Sequence, residues 1–283
     1  MEISGEAISL AVRRENVQRV MEIENVTKDW IMISTPVPML LTLVLYGLIL
    51  TLGPKIMENR APFKLKSVMR FYNIFQVIHN LYMVYSFAEN PDAMPFVIQS
   101  SCSSVTVEDS LYAKHYYSFN YYSWHYLVSK HIDLLDTVFM VLRKKNSHIT
   151  FLHVYHHFAM VFFSWLTITG TKSIHAVIPG AINVIVHSIM YSYYFLATFS
   201  RFKHLLWWKH HLTKLQLGQF VIILLYICSI YYYGCPIDRK FTFTWSFNVF
   251  VILVLFINFY VKSYMTKPKQ DVKESQKEVK KSS

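Results

Sequence analysis

Charge is what this sequence has least of. Only 16% of its 283 residues are Asp, Glu, Lys or Arg, where an average soluble domain carries about a quarter. With 53% hydrophobic residues and several long apolar runs, the deficit excludes an ordinary soluble domain and argues for a chain that crosses a membrane repeatedly. Cysteine is scarce as well: three residues exclude a disulfide scaffold and a cysteine-rich metal site. The first 29 residues hold no apolar stretch, so no cleavable signal peptide is expected. Acidic residues number 17 against 28 basic ones, a formal net charge of +11. The basic residues lie between the apolar runs and in the C-terminal tail. That placement fits membrane orientation and an anionic substrate better than nucleic acid.

What is there is a succession of apolar segments. The expected fold is all-α, a multi-span membrane protein with seven transmembrane helices at roughly 32–52, 68–87, 117–142, 150–169, 175–199, 212–233 and 243–264. Gly53-Pro54, Asn90-Pro91, Gly170 and Gly234 punctuate them. Residues 1–29 read as a flexible lumenal tail, 30–265 as the membrane domain, and 266–283 as a disordered, lysine-rich cytosolic tail. The connections are too short to hold a second core.

The loops after spans one, three and five, and the tail, carry most of the lysine and arginine. The positive-inside rule therefore puts the N-terminus in the lumen and the C-terminus in the cytosol. On that topology Asn25-Val26-Thr27 is a candidate N-glycosylation site. Cys102 and Cys235 share the oxidising side, where they are candidates for a disulfide. Cys228, inside a span, reads as a packing residue. The terminal Lys280-Lys281-Ser282-Ser283 looks like a dilysine retrieval signal of the endoplasmic reticulum.

The candidates for chemistry lie on helical faces. His153, His156 and His157, spaced i, i+3, i+4, share one face. Lys130, Asp133, Asp136 and Thr137 share another on the preceding span, across the short basic turn 143–145. Asn183, His187, Met190, Tyr191 and Tyr194 form a third stripe, and Thr213, Gln216 and Gln219 a fourth. At about 1.5 Å of rise per residue, His156, Asp133, His187 and Gln219 lie about 14–18 Å from the cytosolic ends of their spans. Polar groups at that depth are costly and face an interior. A common layer across four helices reads as a site, not as scattered packing. Lys130, Lys209 and Lys214 suit the anionic head of a ligand entering from the cytosol. Taken singly, the residues have blander readings. A lone histidine is usually packing, and Trp207-Trp208 reads as an interfacial belt. His125, His131, His148, His175 and His204 lack matching partners and read as non-catalytic.

An HxxHH box also occurs in membrane di-iron desaturases, but such a centre needs about eight histidines over three boxes. Only one box is present, and Trp207 stands where a third histidine beside His210-His211 would be needed. No metal is expected. A seven-span receptor or transporter would match the span count, but not a histidine box level with acids and amides.

The ordered set is more specific than any of its parts. Lys130-x-x-Asp133-x-x-Asp136-Thr137, His153-x-x-His156-His157, Asn183-x-x-x-His187-x-x-Met190-Tyr191-x-Tyr193-Tyr194 and Thr213-x-x-Gln216-x-x-Gln219 together resemble the ELO family of very-long-chain fatty-acid elongases, over roughly 30–265. One departure is visible: the family usually has Glu where this chain has Asp133. The resemblance implies an endoplasmic-reticulum 3-oxoacyl-CoA synthase in which six helices enclose a substrate tunnel. It implies condensation of a long-chain acyl-CoA with malonyl-CoA, without a bound cofactor, and association with a second copy or with other enzymes of the elongation cycle. His156 would accept the acyl group; His153, His157 and His187 would orient it, move protons or stabilise the oxyanion. Asp133 and Asp136 would fix imidazole tautomers. Asn183, Tyr191, Tyr194, Gln216 and Gln219 would contact carbonyl or pantetheine groups. Lys130, Lys209 and Lys214 would meet CoA phosphates.

Overall fold

The structure, a computed structural model, describes residues 5–100, 102, 108, 110–171 and 174–266. The tail from 267 onward, with Lys280-Lys281, lies outside the described residues. Within them every regular element is helical: α1 Gly5–Thr27, α2 Val37–Met57, α3 Lys66–Ala88, α4 Ala93–Ser100, α5 Ser110–Asp133, α6 Leu135–Leu142, α7 Phe151–Leu166, α8 Val177–Ala197, α9 Lys209–Tyr232 and α10 Arg239–Tyr260.

Five segments are long and apolar enough to cross a membrane: Val37–Met57, Phe151–Gly170, Ile174–Ala197, His204–Tyr232 and Arg239–Met265. α3 and α5, at 23 and 24 residues, have the length but not the hydropathy. The reason is the side they bury. α3 buries Asn73, Gln76 and Asn80, and α5 buries His115, Asn120, Ser129, Lys130 and Asp133. The opposite side of α3 exposes Phe71, Ile78 and Tyr85. Polar groups inside and apolar groups outside is the polarity of a protein whose surroundings are lipid.

α3 packs along α8, and α8 also meets α9; α7 meets α2, α5 and α10. One core cluster joins Tyr72, Met190, Tyr191, Tyr193 and Leu212, and another joins Met39, Tyr46, Leu134 and Val161. Between α2 and α6 the backbones come so close that a Cβ on Gly53 would stand 2.8 Å from Val141 Cγ1.

Several expectations need correction. Residues 5–27 form a helix, not a flexible tail. Val20 of α1 is buried with Ala113 and Tyr116 of α5, and Tyr116 donates to Glu24 Oε1 at 2.7 Å. These contacts order a segment whose composition alone does not demand it. The third span is not one helix: it breaks at Leu134, between α5 and α6. There the amides of Leu134 and Thr137 bond to the carbonyls of His131 and Leu134, three residues back. The tighter winding keeps these N–H groups satisfied. Cys228 is not a packing residue but an exposed one. Of the tryptophan pair, Trp207 is exposed while Trp208 packs edge-on against Tyr193 at 4.9 Å. Asn25 is exposed near the end of α1, whereas Thr27 is buried and donates to Glu24 O. Cys102 and Cys235 are joined by a disulfide.

Candidate active site

The site is built around Asp133 at the end of α5, 3% exposed. Its Oδ1 accepts from Gln76 Nε2 at 2.6 Å and from the Tyr191 hydroxyl at 3.0 Å. Its Oδ2 accepts from Lys130 Nζ at 3.2 Å and lies 3.7 Å from His187 Nδ1. Lys130, one helical turn earlier and 1% exposed, also donates to Asn183 Oδ1 at 2.9 Å and lies over the Tyr126 ring. Asn183 accepts a second bond, from the Tyr126 hydroxyl at 3.0 Å. A buried ammonium persists only where acceptors replace its water. Asp133 and Asn183 supply them.

Beyond the break at Leu134, Asp136 Oδ2 accepts from the same Tyr191 hydroxyl at 2.9 Å. One phenol thus sits between two carboxylates, with the Tyr72 hydroxyl 3.3 Å away. The tight turn brings Asp133 and Asp136 to one side, because residues three apart eclipse when the helix winds more closely.

Thr137, fully buried, links this network to the histidine box. Its Oγ1 lies 2.8 Å from His153 Nε2 and 3.2 Å from the Tyr46 hydroxyl. The box occupies the first two turns of α7, where Thr150 caps the helix by accepting from the His153 amide. The His153 and His157 rings are 4.3 Å apart, and those of His156 and His157 5.7 Å. His156 is half-buried, and its Nδ1 is buried without a hydrogen-bond partner.

The fourth stripe is less integrated. Gln216 Nε2 contacts Met190 Sδ at 3.3 Å, the Thr213 hydroxyl lies 3.4 Å from that of Tyr264, and Gln219 Oε1 is buried without a partner. Tyr194 is 40% exposed and packs edge-on against Tyr191. Lys209 and Lys214 are exposed on the first two turns of α9. Among the described residues no three His, Cys, Asp or Glu side chains are grouped to hold a metal ion.

The sequence reading missed Tyr46, Tyr72, Gln76 and Tyr126. For α3 a signal existed: Tyr72, Asn73, Gln76 and Asn80 lie on one face of the helix. His125, read as lacking a partner, sits 3.2 Å from His79 Nε2.

The family sequence model described as GNS1/SUR4, or ELO, matches residues 31–272. The chain belongs to the ELO family. Its relatives include very long chain fatty acid elongase 7 of Rattus norvegicus, 37% identical over 248 residues, which are 84% of each chain. Very long chain fatty acid elongase F of Drosophila melanogaster is 37% identical over 260 residues, 90% of this chain and 96% of its own. The human very long chain fatty acid elongase 4 is 36% identical over 241 residues, covering 84% and 74% of the two chains. In this ELO-family chain, residues from α5, α6 and α8 meet in one hydrogen-bonded cluster, and Thr137 ties the box on α7 to it.

Proposed function

We propose that the protein is a very-long-chain 3-oxoacyl-CoA synthase, with His156 as the residue that takes up the acyl group. An imidazole nitrogen attacks the thioester carbonyl of a long-chain acyl-CoA, the C–S bond breaks, and CoA leaves. Malonyl-CoA then loses carbon dioxide, and the resulting carbanion attacks the acyl carbon. The bond to imidazole breaks, giving 3-oxoacyl-CoA and the free histidine. The observation that carries the assignment is the count of partners. His153 is engaged by Thr137, and His187 faces Lys130 and Asp133. Neither His156 nor His157 makes a side-chain hydrogen bond among the described residues, and of the two His156 is the more accessible, His157 being 8% exposed. An uncommitted and accessible imidazole is the one able to attack.

The other groups follow from their positions. Asp133 orients His187 and neutralises Lys130. The Tyr191 hydroxyl and Asn183 would contact the oxyanion or a pantetheine amide. Exposed Lys209 and Lys214 would meet CoA phosphates at the cytosolic mouth. α3 and α5–α6 would join the five apolar segments to make seven spans, six of them enclosing a tunnel for the acyl chain. The N-terminus would be lumenal and the tail cytosolic, in the endoplasmic reticulum membrane.

Purified protein given a long-chain acyl-CoA and labelled malonyl-CoA should release labelled 3-oxoacyl-CoA. With acyl-CoA alone, mass spectrometry should find the acyl mass on the peptide bearing His156. His156→Ala should lose both product and adduct. Turnover of His156→Ala at the parent rate would refute the nucleophile.

A further inference from the structure

Gln76 belongs to none of the motifs that marked the site. It stands on α3, is 0% exposed, and places its Nε2 2.6 Å from Asp133 Oδ1 and 3.2 Å from the Tyr72 hydroxyl. Its orientation is dictated by charge, since a flipped amide would aim its oxygen at the carboxylate. The other end is left unprovided for: Gln76 Oε1 is buried with no partner. A fully buried amide with an unsatisfied oxygen is a poor packing residue, because an apolar side chain of the same shape would avoid that cost. What the amide supplies is its contact with Asp133, which is shorter than the same carboxylate's bonds to Tyr191 and Lys130.

The geometry points to Gln76 as a positioning residue that fixes the Asp133 carboxylate, and through it Lys130 and His187, during the condensation proposed above. Each oxygen of Asp133 has a distinct duty. Oδ2 faces Lys130 and His187, and Oδ1 is held from α3 and α8 by Gln76 and Tyr191. Without the amide, Oδ1 keeps one anchor and the carboxylate can rotate about its χ2 bond. That rotation withdraws Oδ2 from the lysine and the imidazole together.

The inference rests on the synthase reading, and the tests separate the two. Gln76→Leu keeps the shape and removes the donor. Its kcat should fall about 10- to 100-fold, the effect of a misplacement near 1 Å, with the KM for acyl-CoA changed less than about twofold. Gln76→Asn shortens the reach by one methylene and should also lower kcat. Adding Asp133→Glu to Gln76→Asn returns that methylene from the opposite side of the hydrogen bond and should recover most of the activity. A packing role for residue 76 would be met by Leu as well as by Gln, and so predicts the parent kcat for Gln76→Leu. Gln76→Leu at the parent kcat, or a Gln76→Asn/Asp133→Glu pair no better than either single variant, overturns the positioning role while leaving the synthase reading intact. If Gln76→Leu does not accumulate, the Asn/Glu pair alone decides. Parent protein that forms no 3-oxoacyl product refutes the synthase reading itself.

Discussion

The Tyr191 hydroxyl has one hydrogen and two carboxylate neighbours, Asp133 and Asp136, at 3.0 and 2.9 Å. Both acids accept from that hydroxyl, so Tyr191→Phe should cost about 1–3 kcal/mol for the lost donor. The variant should also slow condensation by tenfold or more, on the order of a lost donor at a reacting carbonyl. Tyr72→Phe, which removes a hydroxyl 3.3 Å from Tyr191, should do less. Equal kcat losses in the two variants would show that the phenol between the acids has no special role. At this scale the sequence was legible wherever helical spacing alone decides which side chains share a face, as for His153, His156 and His157. It was silent on partners from another helix. Nothing in the spacing of α5 and α6 says that Asp133 meets Gln76 from α3, or that Thr137 meets Tyr46 from α2.

Among the elements, the break at Leu134 has no breaker residue to announce it. Neither Gly nor Pro stands there, and the run 117–142 reads as continuous. Tertiary packing makes the break: Leu134 is buried with Met39, Tyr46 and Val161. α6 is held in turn by its approach to α2 at Gly53, where a methyl group would meet Val141 Cγ1 at 2.8 Å. Valine is stiff about χ1 and cannot swing aside. Gly53→Ala should therefore destabilise the protein by about 1–3 kcal/mol through overpacking, read as a lower melting temperature in detergent. Val141→Ala in the same chain should restore it. A Gly53→Ala variant that melts with the parent would mean the helices part without cost. The helical character of α1 was illegible for a related reason, since it depends on Val20 and Glu24 finding Ala113 and Tyr116 nearly a hundred residues away.

For the molecule as a whole, composition was enough to read an all-helical membrane protein, because lipid leaves few ways to satisfy backbone. Composition also keeps α3 and α5 below the hydropathy of the five apolar segments, since they spend their interior faces on amides and charges. One covalent feature acts at this scale. The disulfide between Cys102 and Cys235 spans 133 residues and encloses α5 to α9 in a closed ring. A single protease cut in that ring would sever the chain without separating it. On a non-reducing gel the nicked protein should run as one band near its full mass, and dithiothreitol should release two fragments. Two bands without the reductant would mean the ring is open.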